Sequence, residues 1–269
     1  MKNFWNKIKP VLIAIFWMLC AGGLGTLLVA SVNHQESLSF QSIKVNIDES
    51  NGMLFLSKDD IIKLLNDDQL NIEKVKPISK VDYSKLERVI KNNPYVADAN
   101  MFVDASGNIQ INIRQRTTIL RVINNEGVSY YIDEHARKMP LSSKFTARVP
   151  VATGNIFSTP ENENKTDSVT GKKLFTLADY ISSDSFLHSL TEQIVVNNPT
   201  EFELIPDIAN HSILIGDVDN LDEKFNKLKI FYREGLNRVG WNGYSQINLK
   251  YENEVYCTKL QEIDSSKGN

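Results

Sequence analysis

Histidine and cysteine are among the side chains that most often bind metals or act as nucleophiles. The chain has four histidines and two cysteines. No two of the histidines stand at the spacing of zinc ligands; they are His34, His135, His188 and His211. The run Asp133-Glu134-His135 has ligand chemistry, but consecutive residues of a turn point in different directions. Cys20 and Cys257 lie far apart and form no CxxC pair. The sequence therefore predicts neither a metal site nor a disulfide framework.

Motifs of common enzyme classes are also missing from the sequence. It has no Gly-x-Ser-x-Gly elbow of the kind that serine hydrolases use. Gly171-Lys172-Lys173 lacks the upstream glycine and the following serine or threonine of a phosphate-binding loop. The 33 acidic residues are numerous enough to leave a dispersed pair of catalytic carboxylates open. We predict a binding protein that has no catalytic activity, no cofactor and no bound metal.

The N-terminal region has the pattern of a membrane anchor. Val11 to Val32 carries no charge, and a helix of this length, at about 1.5 Å per residue, crosses a hydrocarbon core of about 30 Å. Residues 1–10 contain lysines and no acid, which predicts a cytoplasmic tail and an external C-terminal part. A cleaved signal peptide is the alternative, but its apolar region is shorter, about 7–15 residues. Acidic residues outnumber basic ones after the anchor, which argues against nucleic-acid binding.

Residues 40–116 are predicted to form a domain with the element order β-α-α-β-β. Apolar and polar residues alternate over residues 40–47 and 108–114, which predicts strands. The turn at residues 104–107 joins the last strand to the one before it as a hairpin. The two helices lie between the first strand and this hairpin.

Capping residues define the ends of these two helices. The first begins after Ser57, where Asp60 completes a capping box with aspartate in place of the usual glutamate. The second begins at Asp82, a good N-cap. It ends at Asn92-Asn93-Pro94, because the residue before a proline leaves the helical region.

Residues 117–260 are predicted to form a β-rich second domain. A helix is predicted over residues 172–181 and a longer one over 219–238, where apolar residues recur at helical spacing. Short strands are predicted over residues 118–124, 128–132, 193–197, 202–205, 212–215, 244–251 and 255–260. Residues 261–269 are predicted to be a disordered tail.

The first of these domains resembles a POTRA domain that directly follows a membrane anchor. VDYSKLERVIKNNPYVADANMFVD, residues 81–104, looks like the second POTRA helix, its "PYV" turn and the following strand. The preceding LSKDDIIKLL resembles the first POTRA helix. The pattern recurs in the FtsQ/DivIB family of bacterial cell division proteins and in outer-membrane assembly factors.

The second domain resembles the corresponding domain of the FtsQ/DivIB family. YYIDEHARKMPL and VPVATGNI follow the order of the family's "yyID..G…pl" and "lPvltG" stretches, and SQINLKYENEVYC resembles its terminal strands. The chain departs from the family at Ala136, in a turn that often has glycine, and at Asn248 and Lys250, where aspartate and arginine are usual. The resemblance implies an α+β fold: an N-terminal transmembrane helix, a β-α-α-β-β POTRA-like domain and a mixed, β-rich C-terminal domain.

The same resemblance implies a non-catalytic role in cell division. Such a protein links partner division proteins at the outer face of the inner membrane, at the division site, and helps to assemble the septal wall synthesis machinery. The implied partners are small single-pass proteins with outer coiled coils, of FtsB/FtsL type, that dock by strand addition. By resemblance, the docking edge consists of Tyr251, Asn253, Glu254, Val255, Tyr256, Cys257 and Thr258.

Four alternatives remain open at this point. Val255 and Cys257 can pack inward instead of facing a partner, and an exposed edge of the POTRA sheet can be the docking surface. The chain can instead belong to an export or outer-membrane assembly system, or be an anchored envelope enzyme with a dispersed site.

Overall fold

The computed structural model describes residues 15–26, 41–66, 81–104, 106–156, 168–208, 210–241 and 243–260. The chain divides into two compact units. The first comprises residues up to Glu49 together with Leu56–Gln115, and the second comprises Ser50–Phe55 and everything from Arg116 onward.

The predicted membrane anchor is described only in part. Residues 15–26 form a helix, α1, and the rest of the anchor predicted from Val11 to Val32 lies outside the described residues. Among the described residues, no helix has both the length and the apolar character that crossing a bilayer requires. The predicted cytoplasmic tail, residues 1–10, and the predicted disordered tail, residues 261–269, lie outside the described residues as well.

The first unit contains five elements around one sheet. They are β1 (Ile43–Asp48), α2 (Lys58–Leu65), α3 (Tyr83–Lys91), β2 (Val96–Val103) and β3 (Ile109–Gln115). The strand order is β1-β3-β2, with β1 parallel and β2 antiparallel to β3. Every second residue of β3 is buried, and the three isoleucines among them share one core with the apolar faces of α2 and α3. The predicted β-α-α-β-β order is confirmed.

The predicted helix caps of the first unit are present. The Asp60 carboxylate accepts hydrogen bonds from the backbone N–H and the hydroxyl of Ser57, at 3.0 and 2.8 Å. The Asp82 carboxylate accepts the Lys85 N–H at 2.9 Å. These bonds satisfy backbone donors that the first turn of a helix leaves without a partner, and so they determine where each helix begins.

The second unit is built on one large mixed sheet. Its strands are β4 (Thr118–Ile123), β5 (Ser129–Asp133), β6 (Lys138–Met139), β7 (Val151–Gly154), β8 (Thr191–Asn198), β9 (Glu201–Pro206), β10 (Ser212–Gly216), β11 (Tyr244–Asn248) and β12 (Tyr256–Lys259). The strand order is β12-β11-β10-β9-β8-β7-β4-β5-β6. Its helices are α4 (Val169–Ser183), α5 (Ser185–Leu190), α6 (Leu221–Ile230) and α7 (Leu236–Val239). The sheet and these helices share one apolar core.

The short segment Ser50–Phe55 packs in the second unit, although it lies inside the first domain predicted from the sequence. The ring of Phe55 is buried edge-on against Tyr131 and Phe145, with centroid distances of 5.7 and 5.0 Å. Aromatic pairs in this geometry contribute about 0.5–1.5 kcal/mol beyond the area that they bury. Phe55 stands in the apolar run from Met53 to Leu56, and the sequence of this run does not show that Phe55 joins the core of the second unit while Leu56 joins that of the first.

The helix predicted over residues 219–238 is not one continuous α-helix. A π-helical turn, Phe231–Gly235, separates α6 from α7. Within this turn Tyr232 is buried against His211, and a Cβ on Gly235 would meet the Phe231 ring at 2.8 Å. The apolar periodicity of the sequence does not show this wider turn, and π turns of this kind are common at functional sites.

A buried carboxylate organises the turn between β5 and β6. Asp133 is only 1 % exposed and accepts the backbone N–H groups of His135 and Arg137 at 2.9 and 2.8 Å. Its second oxygen lies 3.1 Å from Nε of Arg137 and 3.8 Å from Nε of Arg116. The turn is therefore held by one side chain that accepts two backbone N–H groups, binds the guanidinium group of Arg137 and lies within ion-pair distance of that of Arg116.

We expect Ala136→Gly to stabilise the second unit by about 1 kcal/mol. Ala136 has a φ of +60°, a left-handed conformation that costs a non-glycine residue about 1–2 kcal/mol. Thermal unfolding should show a midpoint about 2–4 °C higher for this change. The same substitution at Ala178, inside α4, is the matched control and should lower the midpoint. An unchanged or lower midpoint for Ala136→Gly would show that the turn carries no such strain.

Candidate functional site

The last strand of the second unit lies at the edge of the large sheet. β12 pairs with β11 in an antiparallel ladder, with Cys257 opposite Ile247 and Tyr256 opposite Asn248. In the described part of the chain, β11 is the only strand that neighbours β12. The outer side of β12 therefore presents backbone N–H and C=O groups that no strand of the described chain pairs. Such an edge accepts an additional strand from a partner.

The seven residues predicted for this edge divide into two groups. Asn253, Glu254 and Thr258 are exposed, as are Tyr251 and Tyr256, at 54 % and 52 %. Val255 and Cys257 are half-buried and pack against the core of the unit, so the alternative of inward packing holds for these two. All seven are contiguous in space: Tyr251 to Val255 lie in the turn after β11 or directly before β12, and the rest lie in β12.

The two exposed tyrosines form a small aromatic pair. Their ring centroids are 4.9 Å apart at an interplanar angle of 69°, an edge-to-face contact. The Tyr256 hydroxyl donates a hydrogen bond to the Glu254 carboxylate, and this bond raises the pKa of Tyr256. The hydroxyl therefore stays protonated at physiological pH. Tyrosine is enriched in protein interfaces because it combines a large apolar area with a polar end.

Helix α6 supports the turn between β11 and β12. Asn253 has a φ of +58°, which asparagine tolerates better than most residues, and its N–H donates to Oε1 of Glu223 at 3.2 Å. Nζ of Lys227 donates to the backbone oxygen of Tyr251 and lies 3.2 Å from the same Oε1 of Glu223. The sequence indicates Glu223 and Lys227 only as an i,i+4 pair on a helix, and their contact with the turn is a finding of the structure.

Lys250 holds the same turn from the sheet side. Nζ of Lys250 donates to Oε1 of Glu201 in β9 at 2.9 Å, and this bond raises the pKa of Lys250. Its aliphatic stem crosses Gly216, where a Cβ would meet Cγ of Lys250 at 2.7 Å. Oδ1 of Asn248 accepts the Lys250 N–H at 3.0 Å, as an aspartate oxygen would. Both residues at which the chain departs from the family pattern, Asn248 and Lys250, therefore make contacts that hold the turn.

The sheet of the first unit also has two edge strands, β1 and β2. On β2 the Met101 N–H already donates to Oε1 of Glu87 in α3, at 2.8 Å. A partner strand at this edge would have to displace that carboxylate. Apart from Phe102, which is 48 % exposed, the face of the sheet opposite the helices is polar, with Asn46, Asn112 and Asn100 in one row across the three strands. This polar face has less of the aromatic character of interfaces than the β12 edge.

The run Asp133-Glu134-His135 does not converge on a common point. Asp133 is buried in the turn that it organises, whereas Glu134 and His135 are exposed. Among the residues that the structure describes, no group of three or more His, Cys, Asp or Glu side chains is arranged to hold a metal ion. The geometry of this run is that of a turn.

His211 is a buried titratable group that sequence reasoning does not single out. It is 2 % exposed, and its Nε2 lies 2.6 Å from Oη of Tyr232 in the π-helical turn. Burial lowers the pKa of His211. A hydrogen bond with the backbone of Trp241 raises this pKa by less than burial lowers it. The fold therefore favours the neutral imidazole.

We expect the stability of the second unit to fall as the pH falls below about 6.5, the ordinary pKa of histidine. Above that pH, His211 is neutral in both states and costs nothing. Below it, the imidazole of His211 takes up a proton in the unfolded chain but stays neutral in the folded chain, because burial lowers its pKa. The loss is at most about 1.4 kcal/mol per pH unit until the pH reaches the folded pKa.

Urea unfolding of the full chain between pH 7.5 and 5 measures this dependence. His211→Gln should reduce the loss of stability on acidification. His188→Gln, at an exposed position of α5, should leave that loss unchanged. Equal pH dependence in the parent chain and in His211→Gln would contradict the assignment.

Comparison with known protein families gives two matches. Residues 117–258 match the family described as FtsQ/DivIB, C-terminal related, and residues 40–114 match the family described as POTRA-like domain. A search among curated proteins finds no match. All seven residues of the candidate docking edge fall inside the first match.

Proposed function

We propose the following function for this chain, which belongs to the FtsQ/DivIB family of bacterial cell division proteins. A division role follows from that membership. We further propose that the chain works without a catalytic step, by linking partner division proteins at the outer face of the inner membrane. Assembly of the septal wall synthesis machinery would then depend on these links.

The observation that carries the proposal is the position of β12 at the edge of the large sheet. A partner strand that pairs with the outer side of β12 would gain main-chain hydrogen bonds. Tyr251 and Tyr256, which form the aromatic pair on this edge, would provide side-chain specificity. The proposed partners are small single-pass proteins with outer coiled coils, of FtsB/FtsL type.

The proposed membrane anchor, Val11 to Val32, would assist this docking. Partners that are tethered to the same membrane meet in a thin layer, which raises their effective concentration. A weak edge-to-edge contact would then be sufficient for assembly, because the tether lowers the entropic cost of the encounter.

A fluorescent protein fused to the N-terminus of the full chain, in a host depleted of the native copy, tests the function. We expect a band at mid-cell, and filamentous or chained cells when the protein is depleted. A uniform envelope signal with normal division would reject the division role and favour the export or enzyme alternative. Purified chain that turns over cell-wall fragments, with turnover lost on changing one carboxylate, would reject the proposed absence of catalysis.

A further inference from the structure

We propose that Glu223 and Lys227 of α6 are positioning residues that hold the turn after β11 in the conformation that a docking partner recognises. This inference rests on the proposed function, since it concerns the same edge. It goes beyond that function because neither residue belongs to the edge itself.

Two backbone groups of the turn are bound by this pair. Oε1 of Glu223 accepts the Asn253 N–H at 3.2 Å, and Nζ of Lys227 donates to the Tyr251 oxygen. The two side chains also lie 3.2 Å from each other. The hydrogen bond from Asn253, followed by that from Lys227, lowers the pKa of Glu223, so its carboxylate stays charged at neutral pH.

The opposite side of the turn is bound by Lys250. That side chain reaches Glu201 in β9 and lies across Gly216 at the end of β10. A groove of about 420 Å³ adjoins these contacts, and Glu223, Lys227, Lys250 and Tyr251 are among the residues that line it. The turn is thus attached to α6 on one side and to the sheet on the other.

This attachment matters because Asn253 occupies a left-handed conformation and because the Tyr251 ring must meet the Tyr256 ring. A turn without the α6 contacts would sample other conformations, and binding a partner would then have to order it. Ordering costs on association are reduced when the surface is held in its bound form beforehand. Glu223 and Lys227 therefore set affinity without touching the partner strand.

The test measures binding of the full chain, in detergent, to the outer segment of the FtsB-type protein from the same organism. We expect Glu223→Met and Lys227→Met each to weaken binding about tenfold, as expected when one or two side chains must be ordered on association. Glu223→Gln keeps an oxygen that accepts the Asn253 N–H and should stay within about threefold of the parent chain. Hydrogen exchange of the Asn253 amide should be faster in Glu223→Met and near normal in Glu223→Gln.

Lys229→Met is the matched control, because Lys229 lies on the same helix and forms an ion pair with Asp184 instead of with the turn. Equal weakening by Lys229→Met would indicate a general effect on α6 and overturn the inference. Faster exchange at Asn253 with unchanged affinity would overturn it too. In that case, loss of binding in Tyr256→Lys would leave the docking edge itself supported. If Tyr256→Lys binds normally, the edge is not the docking surface, and the inference fails with it.

Discussion

Replacing Asp133 by alanine should destabilise the second unit by about 3–5 kcal/mol, the loss that follows when a buried ion pair loses one partner. Oδ1 of Asp133 accepts two backbone N–H groups, and Oδ2 lies beside the guanidinium groups of Arg116 and Arg137. Alanine would remove this carboxylate from the two backbone donors and from the guanidinium group of Arg116, which is only 15 % exposed. Urea unfolding of the full chain, followed by circular dichroism, measures the change.

Two further substitutions separate the causes of this effect. Asp133→Asn keeps one oxygen for the backbone donors and loses only the charge, so we expect a smaller loss than for alanine. Asp104→Ala removes the same type of turn carboxylate from the first unit, where Asp104 is more exposed and accepts the Ser106 and Asn108 N–H groups at 3.0 and 2.9 Å. It should cost less than Asp133→Ala. Equal losses at the two positions would show that burial at Asp133 adds nothing.

Replacing Tyr256 by lysine should weaken capture of the FtsB-type outer segment by at least about 30-fold, the size of effect at an interface hot spot. The change removes the ring that contacts Tyr251 and the hydroxyl that binds Glu254, and it places a charge on an edge that must pair with another strand. Charged residues on edge strands, lysine above all, are the means by which proteins prevent strand addition. Because Tyr256 is exposed, the stability of the fold should change little.

Phe102→Lys is the matched control for this prediction. Phe102 is a 48 % exposed aromatic residue on β2, one of the two edge strands of the other sheet. We expect capture to persist in Phe102→Lys and to be lost in Tyr256→Lys, while both variants keep the circular dichroism of the parent chain. The reverse result would transfer the docking site to the sheet of the first unit.

Local pattern was sufficient to predict most elements of both units. In the first unit, β3 alternates residue by residue, and α2 and α3 begin directly after their caps, Ser57 and Asp82, as the sequence predicts. These features depend on contacts among near neighbours in the chain, which a single sequence displays directly. The short helix α5 was missed because six residues are too few to establish a helical period.

The candidate site depends on parts of the chain that are distant in sequence. The sequence, through its resemblance to a family, indicated the terminal residues, but the large sheet is what places β12 at the edge and turns Val255 and Cys257 toward the core. The edge position of β12 depends on the order of strands that are distant along the chain. The alternation of residues within a single strand does not show that order.

By itself, the sequence determined the division into a β-α-α-β-β region and a β-rich region, the ends of the capped helices and the identity of the terminal strand. The tertiary structure alone decided that Phe55 joins the second unit, that a π-helical turn buries Tyr232 beside His211, and that Glu223 and Lys227 bind the turn at Tyr251. The physical reason is the range of the interactions. Periodicity and capping are local, whereas a buried ring or a charged contact is determined by partners that only the folded chain brings together.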